Sequence, residues 1–440
     1  VKQLPIFYAC PDGHLSEIDF ASAIDHVEGC AASSIAISFG NRVESPMITC
    51  RDCQRRATPK DTPCNGKMPW LSVQPDSTPC RHLMTIVSRT SVKAYFPTTR
   101  SAIHVPTTAD LRDDVIEWMW RAGWAAFAEN TETWIATAAH KLIETGWDLA
   151  PEQAVLHVRQ LFIDDTSDDE WNILEARARE FDVFAGRRRD EVIAASPLLR
   201  MEDMDLASYR NSLVTRGLVT CVTTVHKLTE SRVLSGFSRI EPRSVAPREG
   251  RMLMWGRDTG ADDWLPGYRL HGEGIFLAFN ASQFGGNGCQ PSANQRSLFA
   301  LSPAGKAIHT LAHLLILLIS EESGYAVPSL RDRIYDLDNG RLGVLIYTAE
   351  GDSMGTLGGL AALAQPEELD ALMNRLLDSG AWCPQDPVCG EETLDRDLEI
   401  HAACHQCCLL PETSCELFNA YLNRQLVQDE ILFKAKGSDS

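Results

Sequence analysis

The stretch HAACHQCCLLPETSCE, residues 401–416, carries four of the chain's fourteen cysteines: Cys404, Cys407, Cys408 and Cys415. Six more, Cys10, Cys30, Cys50, Cys53, Cys64 and Cys80, crowd the first eighty residues. Thiols this dense are disulfides, metal ligands or small buried hydrophobes, and each choice implies a different fold. Disulfide frameworks serve small secreted domains that cannot build a core. A chain of 440 residues, 44% of them apolar, has enough material for cores of its own. The opening VKQLPIFYACPDGH has neither a charged n-region nor a long apolar h-region, so no secretory leader is expected in it. The missing initiator Met leads us to expect a segment upstream of residue 1. Metal-bound thiolates in a reducing cytoplasm are therefore the expected use of the cysteines.

Zinc takes four ligands in a tetrahedron, and a C-x2-C pair grips it from one tight turn. CRDC supplies Cys50 and Cys53, and Cys64 and Cys80 each follow a proline that restricts the local backbone. These four are the expected N-terminal site, with Cys10 and His14 of CPDGH and Cys30 as alternates or as part of a second site. At the other end CHQC gives Cys404 and Cys407, expected to join Cys389 and Cys415; Cys383 is the alternate and Cys408 is spare. Ligation by cysteine alone leaves no open position, so such a site holds a fold together rather than activating water. One to two structural zinc ions per chain are expected.

The chain around these clusters changes character three times, which predicts a multidomain α+β protein. Residues 1–106 are turn-rich, with strand-like pieces SSIAIS, SPMITC and VKAYFP, and are expected to be a zinc-stabilised β-rich module. Residues 107–205 show apolar spacing of helical period and form a helical middle, whose Trp118, Trp120 and Trp124 are expected to be core or interface anchors. Residues 206–300 contain LVTCVTTVHKL, SRVLSGFSRI and HGEGIFLAF and are read as a β-rich connection. Residues 301–440 are expected to be a mixed α/β domain with a structural four-cysteine zinc site. It starts with a long, largely buried helix ending near Gly324 and continues through GVLIYTAEGDSMGTLGGLAAL as strand, glycine-rich loop and helix. The longest apolar run, LAHLLILLI at 311–319, is half the roughly 18 residues a membrane span needs, so no membrane partner is expected.

Charge and motif exclude some functions. With 41 basic and 60 acidic residues the net charge is -19, a poor basis for tight nucleic-acid binding by the isolated chain. Local contacts to DNA are expected, if anywhere, from Arg51, Arg55 and Arg56 in RDCQRR and from the loop containing Gly351, Ser353, Gly355 and Thr356. Backbone N–H groups of that loop could face a phosphate, although Glu350 and Asp352 would oppose it. GRRRDE at 186–191 reads first as a solvated face. DDEW at 168–171 resembles a helicase acidic box, but no G-x4-G-K-[ST] phosphate loop exists, which excludes ATP hydrolysis by this chain. HTLAH places His309 and His313 one helical turn apart, as in a zinc protease, but Thr310 stands where the general-base Glu belongs. Packed core histidines are the expected reading, with a zinc-dependent hydrolase or nuclease using His309 and His313 as the alternative.

Taken together, FYACPDGHL, CRDC, VKAYFPTTRSAIHVP, GEGIFLAF, HTLAHLLI, LIYTAEGDSMGTLGGL and AACHQC with LPETSCE resemble the DrmB family. The resemblance covers most of residues 5–106 and 265–425 and far less of the middle. Its C-terminal part is similar to the four-cysteine zinc-binding domain of the repair helicase MrfA. The resemblance implies a non-catalytic partner of the SF2 helicase DrmA in the bacterial DISARM anti-phage system. It also implies a motor partner that loads on DNA with a tailed or single-stranded end, this chain helping it to engage or sense foreign DNA only within that complex, and zinc ligation by Cys404, Cys407 and Cys415 with Cys383 or Cys389. A purely structural scaffold that never touches DNA is the remaining alternative.

Overall fold

Short apolar pieces set between turn residues can make only short strands, and the N-terminal region follows that rule. The computed structural model describes residues 4–40, 42–69, 80–107, 110, 111, 114, 115, 118, 131–160, 173–240, 266–284, 301–348, 358–391, 393–396 and 398–436. The chain divides into two units, residues 1–101 with 232–268 and residues 102–231 with 269–440. The helical middle thus belongs to the same unit as the C-terminal region.

In the first unit the strands are β1 (Ile6–Ala9), β2 (Leu15–Ser16), β3 (Ile35–Ser38), β4 (Met47–Cys50), β5 (Arg56–Ala57), β6 (Thr62–Pro63) and β7 (Leu83–Ser88). A further strand, β8 (Phe96–Ile103), continues past the unit boundary. Two small antiparallel sheets result, ordered β2-β1-β7-β6 and β3-β4-β5. The expected strand over VKAYFP starts late: Val92–Ala94 is a 3-10 turn, in which the Ala94 N–H donates to Ser91 O and the Lys93 N–H to Ser91 Oγ. The local serine competes for the backbone and delays the strand to Phe96. Apolar packing here is sparse. Tyr8 and Met84 cluster with Cys10, and Ile24 and Ile48 with Cys50, so cysteines belong to both small cores.

The second unit has a core of ordinary size. Helices α1 (Thr131–Glu144), α2 (Pro151–Gln160) and α3 (Ile173–Phe184) precede β9 (Arg200–Asp203), β10 (Val219–Ser238) and β11 (Gly267–Phe279), of which β10 after residue 231 and β11 before residue 269 fall in the first unit. There follow α4 (Pro303–Ser323), β12 (Leu330–Leu337), β13 (Arg341–Thr348) and α5 (Pro366–Ser379). The sheet runs β12-β13-β11-β10, with β9 on β10. GIFLAF in β11 is buried on both faces, and its side chains alternate between two cores. Ile275, Leu277 and Phe279 join Val344 and Ile346 under α4, whereas Phe276 and Ala278 join Leu345 and Tyr347 under α3. There Phe276 stacks on Phe184 and meets Phe181 and Tyr335 edge-on. Trp118 packs against a separate core made by α1 and α2; Trp120 and Trp124 lie outside the described residues.

The long helix has the ends its sequence predicts. The Ser302 hydroxyl caps it by accepting the Gly305 N–H, and Pro303 opens its first turn. Gly324, at φ 74°, ends it, because a left-handed residue is what turns the chain out of a helix. This helix is long and apolar enough to cross a membrane, but 78% of its apolar window is buried within the protein.

Candidate metal centres

The two N-terminal sheets each bring four donors together, and they do so by interleaving the cysteines. CPDGH turns back from β1 to β2 at Gly13, whose φ of 86° favours glycine. That turn points Cys10 and His14 at one another, and the ends of β6 and β7 add Cys64 and Cys80. Cys10 Sγ lies 3.3 Å from His14 Nδ1, 3.6 Å from Cys64 Sγ and 3.9 Å from Cys80 Sγ. The second group is His26, Cys30, Cys50 and Cys53, with CRDC at the end of β4. Cys30 Sγ is 3.5 Å from His26 Nδ1 and 3.7 Å from Cys50 Sγ, and Cys53 Sγ is 3.4 Å from His26 Nδ1.

The third group lies in the second unit and consists of Cys383, Cys389, Cys404 and Cys407. The sulfur separations are 3.7 Å for Cys383 to Cys404, 3.8 Å for Cys389 to Cys407 and 3.8 Å for Cys404 to Cys407. These are far longer than a disulfide bond of about 2.05 Å. A tetrahedron with Zn–S bonds of about 2.3 Å has edges of about 3.8 Å, and mixed N–S edges are about 3.6 Å. All three groups therefore have the spacing of a tetrahedral zinc site, and the four-cysteine group fits a structural zinc.

The surroundings act on the thiols in both directions: Cys53 and Cys404 are pulled down, whereas Cys10, Cys30, Cys80, Cys383, Cys389 and Cys407 are pushed up. In each group the backbone N–H two residues after a cysteine donates to its sulfur: Gly66 to Cys64, Ala32 to Cys30, Gln385 to Cys383 and Gln406 to Cys404, each at 3.4 Å. Such outer bonds fix ligand orientation. Hydrogen bonding from the Arg55 N–H, opposed by partial burial and aided by His26, lowers the Cys53 thiol to about 6. Burial pushes Cys10 up to about 12, and the neighbouring thiols of Cys64 and Cys80 add to the rise. Four thiolates around a divalent ion leave a net charge of -2. Arg424, itself buried, stands beside Cys389 and Cys407 and donates to Asp386 at 2.5 Å and to Ala402 O at 3.2 Å. Asp386 in turn accepts the Cys383 N–H at 2.8 Å, so a charge-balancing arginine also braces the ligand turn.

The structure divides the expected ligand sets. Cys50, Cys53, Cys64 and Cys80 do not meet: the first pair joins His26 and Cys30, the second Cys10 and His14. The physical reason is topological, since Cys50 and Cys53 end β4 in one sheet while Cys64 and Cys80 flank β6 and β7 in the other. Counting cysteine pairs along the chain could not reveal that two sheets exchange neighbours. His26 was missed altogether; its signal is the HVEGC spacing, a histidine four residues before Cys30 that repeats the Cys10-to-His14 interval. At the C-terminal end Cys383 takes the place expected for Cys415, which lies instead beside His309, His313 and Asp332. Cys408 is buried outside the four-cysteine group. The expected one to two zinc ions compare with three thiolate-rich groups among the described residues.

The expected DNA contacts are less coherent. Arg51 and Arg56 are exposed, and Arg55 donates to Asp25 at 3.0 Å. Arg189 of GRRRDE is clamped by Asp203 through two bonds of 2.7 Å and by the carbonyls of Val183 and Phe184, so it belongs to the fold. Gly351, Ser353, Gly355 and Thr356, like DDEW, lie outside the described residues.

A chain with a four-thiol group at the end of a mixed α/β unit belongs among proteins whose metals are structural, and its resemblances agree. Residues 311–408 match the MrfA Zn-binding domain. That match encloses Cys383, Cys389, Cys404 and Cys407 and stops short of Cys415, in line with the geometry. Residues 1–96 match a domain of unknown function, DUF8724. The chain is similar to the DISARM protein DrmB of Bacillus paralicheniformis, 33% identical over 226 residues. The similarity covers 47% of this chain and 40% of that protein, so the chain spans less than half the length of the curated relative it matches.

Proposed function

We propose that this chain is a non-motor subunit of a DISARM anti-phage system, which binds a DrmA-like SF2 helicase in the cytoplasm and helps it engage foreign DNA with tailed or single-stranded ends. The observation that carries the reading is the similarity to DrmB over 226 residues. Three zinc ions are proposed to hold it together: one on Cys10, His14, Cys64 and Cys80, one on His26, Cys30, Cys50 and Cys53, and one on Cys383, Cys389, Cys404 and Cys407. The chain is proposed to be non-catalytic, the ATPase being the partner's. A charge of -19 suits a partner of a basic motor better than an independent DNA-binding protein. The hydrolase alternative has less support, because His309 and His313 are fully buried and offer a substrate no approach.

The test is reconstitution. Co-expressed with a DrmA-like helicase, the chain should co-purify with it, and binding of a tailed duplex should appear only in the complex. Phosphate contacts from this chain would make log Kd depend more steeply on log salt than for the helicase alone. Failure to co-purify would overturn the subunit reading; an unchanged salt slope would leave a scaffold that never touches DNA.

A further inference from the structure

Beyond the three thiolate-rich groups, a fourth cluster sits in the core of the second unit. His309 and His313 stand one turn apart on α4, their ring centroids 4.5 Å apart. Asp332 on β12 and Cys415 from the C-terminal region face them, and all four residues are buried. His309 Nε2 is 3.2 Å from Asp332 Oδ2 and 3.2 Å from Cys415 Sγ, and His313 Nε2 is 3.3 Å from the same Oδ2. We propose that His309 Nε2, His313 Nε2, Asp332 Oδ2 and Cys415 Sγ form a closed structural zinc site distinct from the four-cysteine one.

Three observations separate this from an ordinary buried hydrogen-bond network. First, His313 Nε2 and Asp332 Oδ2 have no hydrogen-bond partner among the described residues, although they lie 3.3 Å apart. A proton on that nitrogen would not point at that oxygen; the atoms converge on a shared centre instead. Leaving such groups unpaired in a core costs about 1–3 kcal/mol each, and a cation removes that penalty.

Second, the outward-facing atoms of three donors are occupied. His313 Nδ1 is 2.8 Å from the Cys408 carbonyl, which places its proton on Nδ1 and leaves the Nε2 lone pair facing inward. Asp332 Oδ1 accepts the Glu416 N–H at 2.7 Å, and Cys415 Sγ accepts the Asn419 N–H at 3.2 Å. For these three this is the outer-bond pattern of metal ligands, with one donor atom of each reserved for the centre, whereas His309 Nδ1 has no hydrogen-bond partner among the described residues.

Third, the charges match. Two neutral imidazoles, a carboxylate and a thiolate carry -2, which a divalent ion cancels in a place water does not reach. Two nitrogens, one sulfur and one oxygen within 4.8 Å of one another suit tetrahedral zinc, not an oxygen-seeking ion such as magnesium or calcium. With every donor buried there is no open position, so the site pins α4, β12 and the segment after Cys408 rather than performing hydrolysis.

The experiment uses the full chain. Elemental analysis should find four zinc ions per chain in the wild type and three in Asp332→Asn, with the far-ultraviolet spectrum retained. Because a core variant can fail to fold, the wild type is also loaded with cadmium-113 and examined by NMR. The expected result is one resonance well upfield of the others, the signature of a single sulfur ligand. Only resonances of three- and four-sulfur sites, or a zinc count unchanged in folded Asp332→Asn, would overturn the proposal.

Discussion

The two units hold their cysteines in opposite relations to their cores. In the first, Cys10 and Cys50 are members of clusters that contain, among the described residues, two other buried apolar side chains each. In the second, α4 and both faces of β11 and β13 lie in extended cores, and the four-cysteine group fastens chain at the edge of one of them. Strands of two to six residues in small sheets bury too little to offset the entropy of ordering them. The proposed metals therefore substitute for a core in the first unit and supplement one in the second.

Removing metal should separate the units most sharply. Chelation is expected to abolish hydrogen-exchange protection throughout residues 6–88 while β11 and β13 stay protected, because zinc in small modules supplies about 10–16 kcal/mol of their folding free energy. Simultaneous loss of protection in both units would remove the contrast.

Next in size is the charge network behind the second unit's sheet. Glu180 on α3 accepts two bonds of 2.7 Å from Arg333 on β12, both side chains being buried. Glu180→Ala removes both 2.7 Å bonds from the buried Arg333 guanidinium, whose pairing with Glu416 at 3.8 Å remains, and should cost about 3–5 kcal/mol in a denaturant titration of the second unit. A cost under about 1 kcal/mol would show that the network is not buried in solution.

A smaller effect tests the same network by pH. Glu416 accepts from Arg177 at 2.9 Å; burial alone would raise its carboxyl, but Arg177, with help from Arg333, holds it below the usual range. Its contribution is therefore complete above the unfolded value of about 4.3 and is lost as pH falls through the lower folded value. Glu416→Gln should cost about 1.5–3 kcal/mol near neutrality and make the acid-side decline of stability shallower than in wild type. Parallel curves would refute the assignment.

The smallest change is expected at Arg55, whose bond to Asp25 is solvent-exposed on both sides. Arg55→Ala should alter stability by about 0–1 kcal/mol. If instead it weakens tailed-duplex binding by the reconstituted complex without altering stability, the residue serves DNA and not the sheet.

Much of this was legible in the amino-acid order, because it rests on local chemistry. Ser302, Pro303 and Gly324 mark the ends of α4 by capping and left-handed geometry, which need no distant partner. The apolar run of β11 announces a strand buried on both faces, and C-x2-C pairs announce a metal wherever they fold. The partition of ligands was not legible, since it depends on which strand ends become neighbours. Cys64 and Cys80 meet Cys10 because β7 lies between β1 and β6, a pairing that no spacing along the chain encodes. His309 and His313 look like apolar-helix histidines until β12 delivers Asp332 and the C-terminal segment delivers Cys415. Sequence by itself determined that the chain carries metal-binding thiols, long helices and a buried sheet; tertiary structure alone decided which donors share a centre, because coordination requires atoms within a few ångströms, and only packing brings residues 309, 332 and 415 that close.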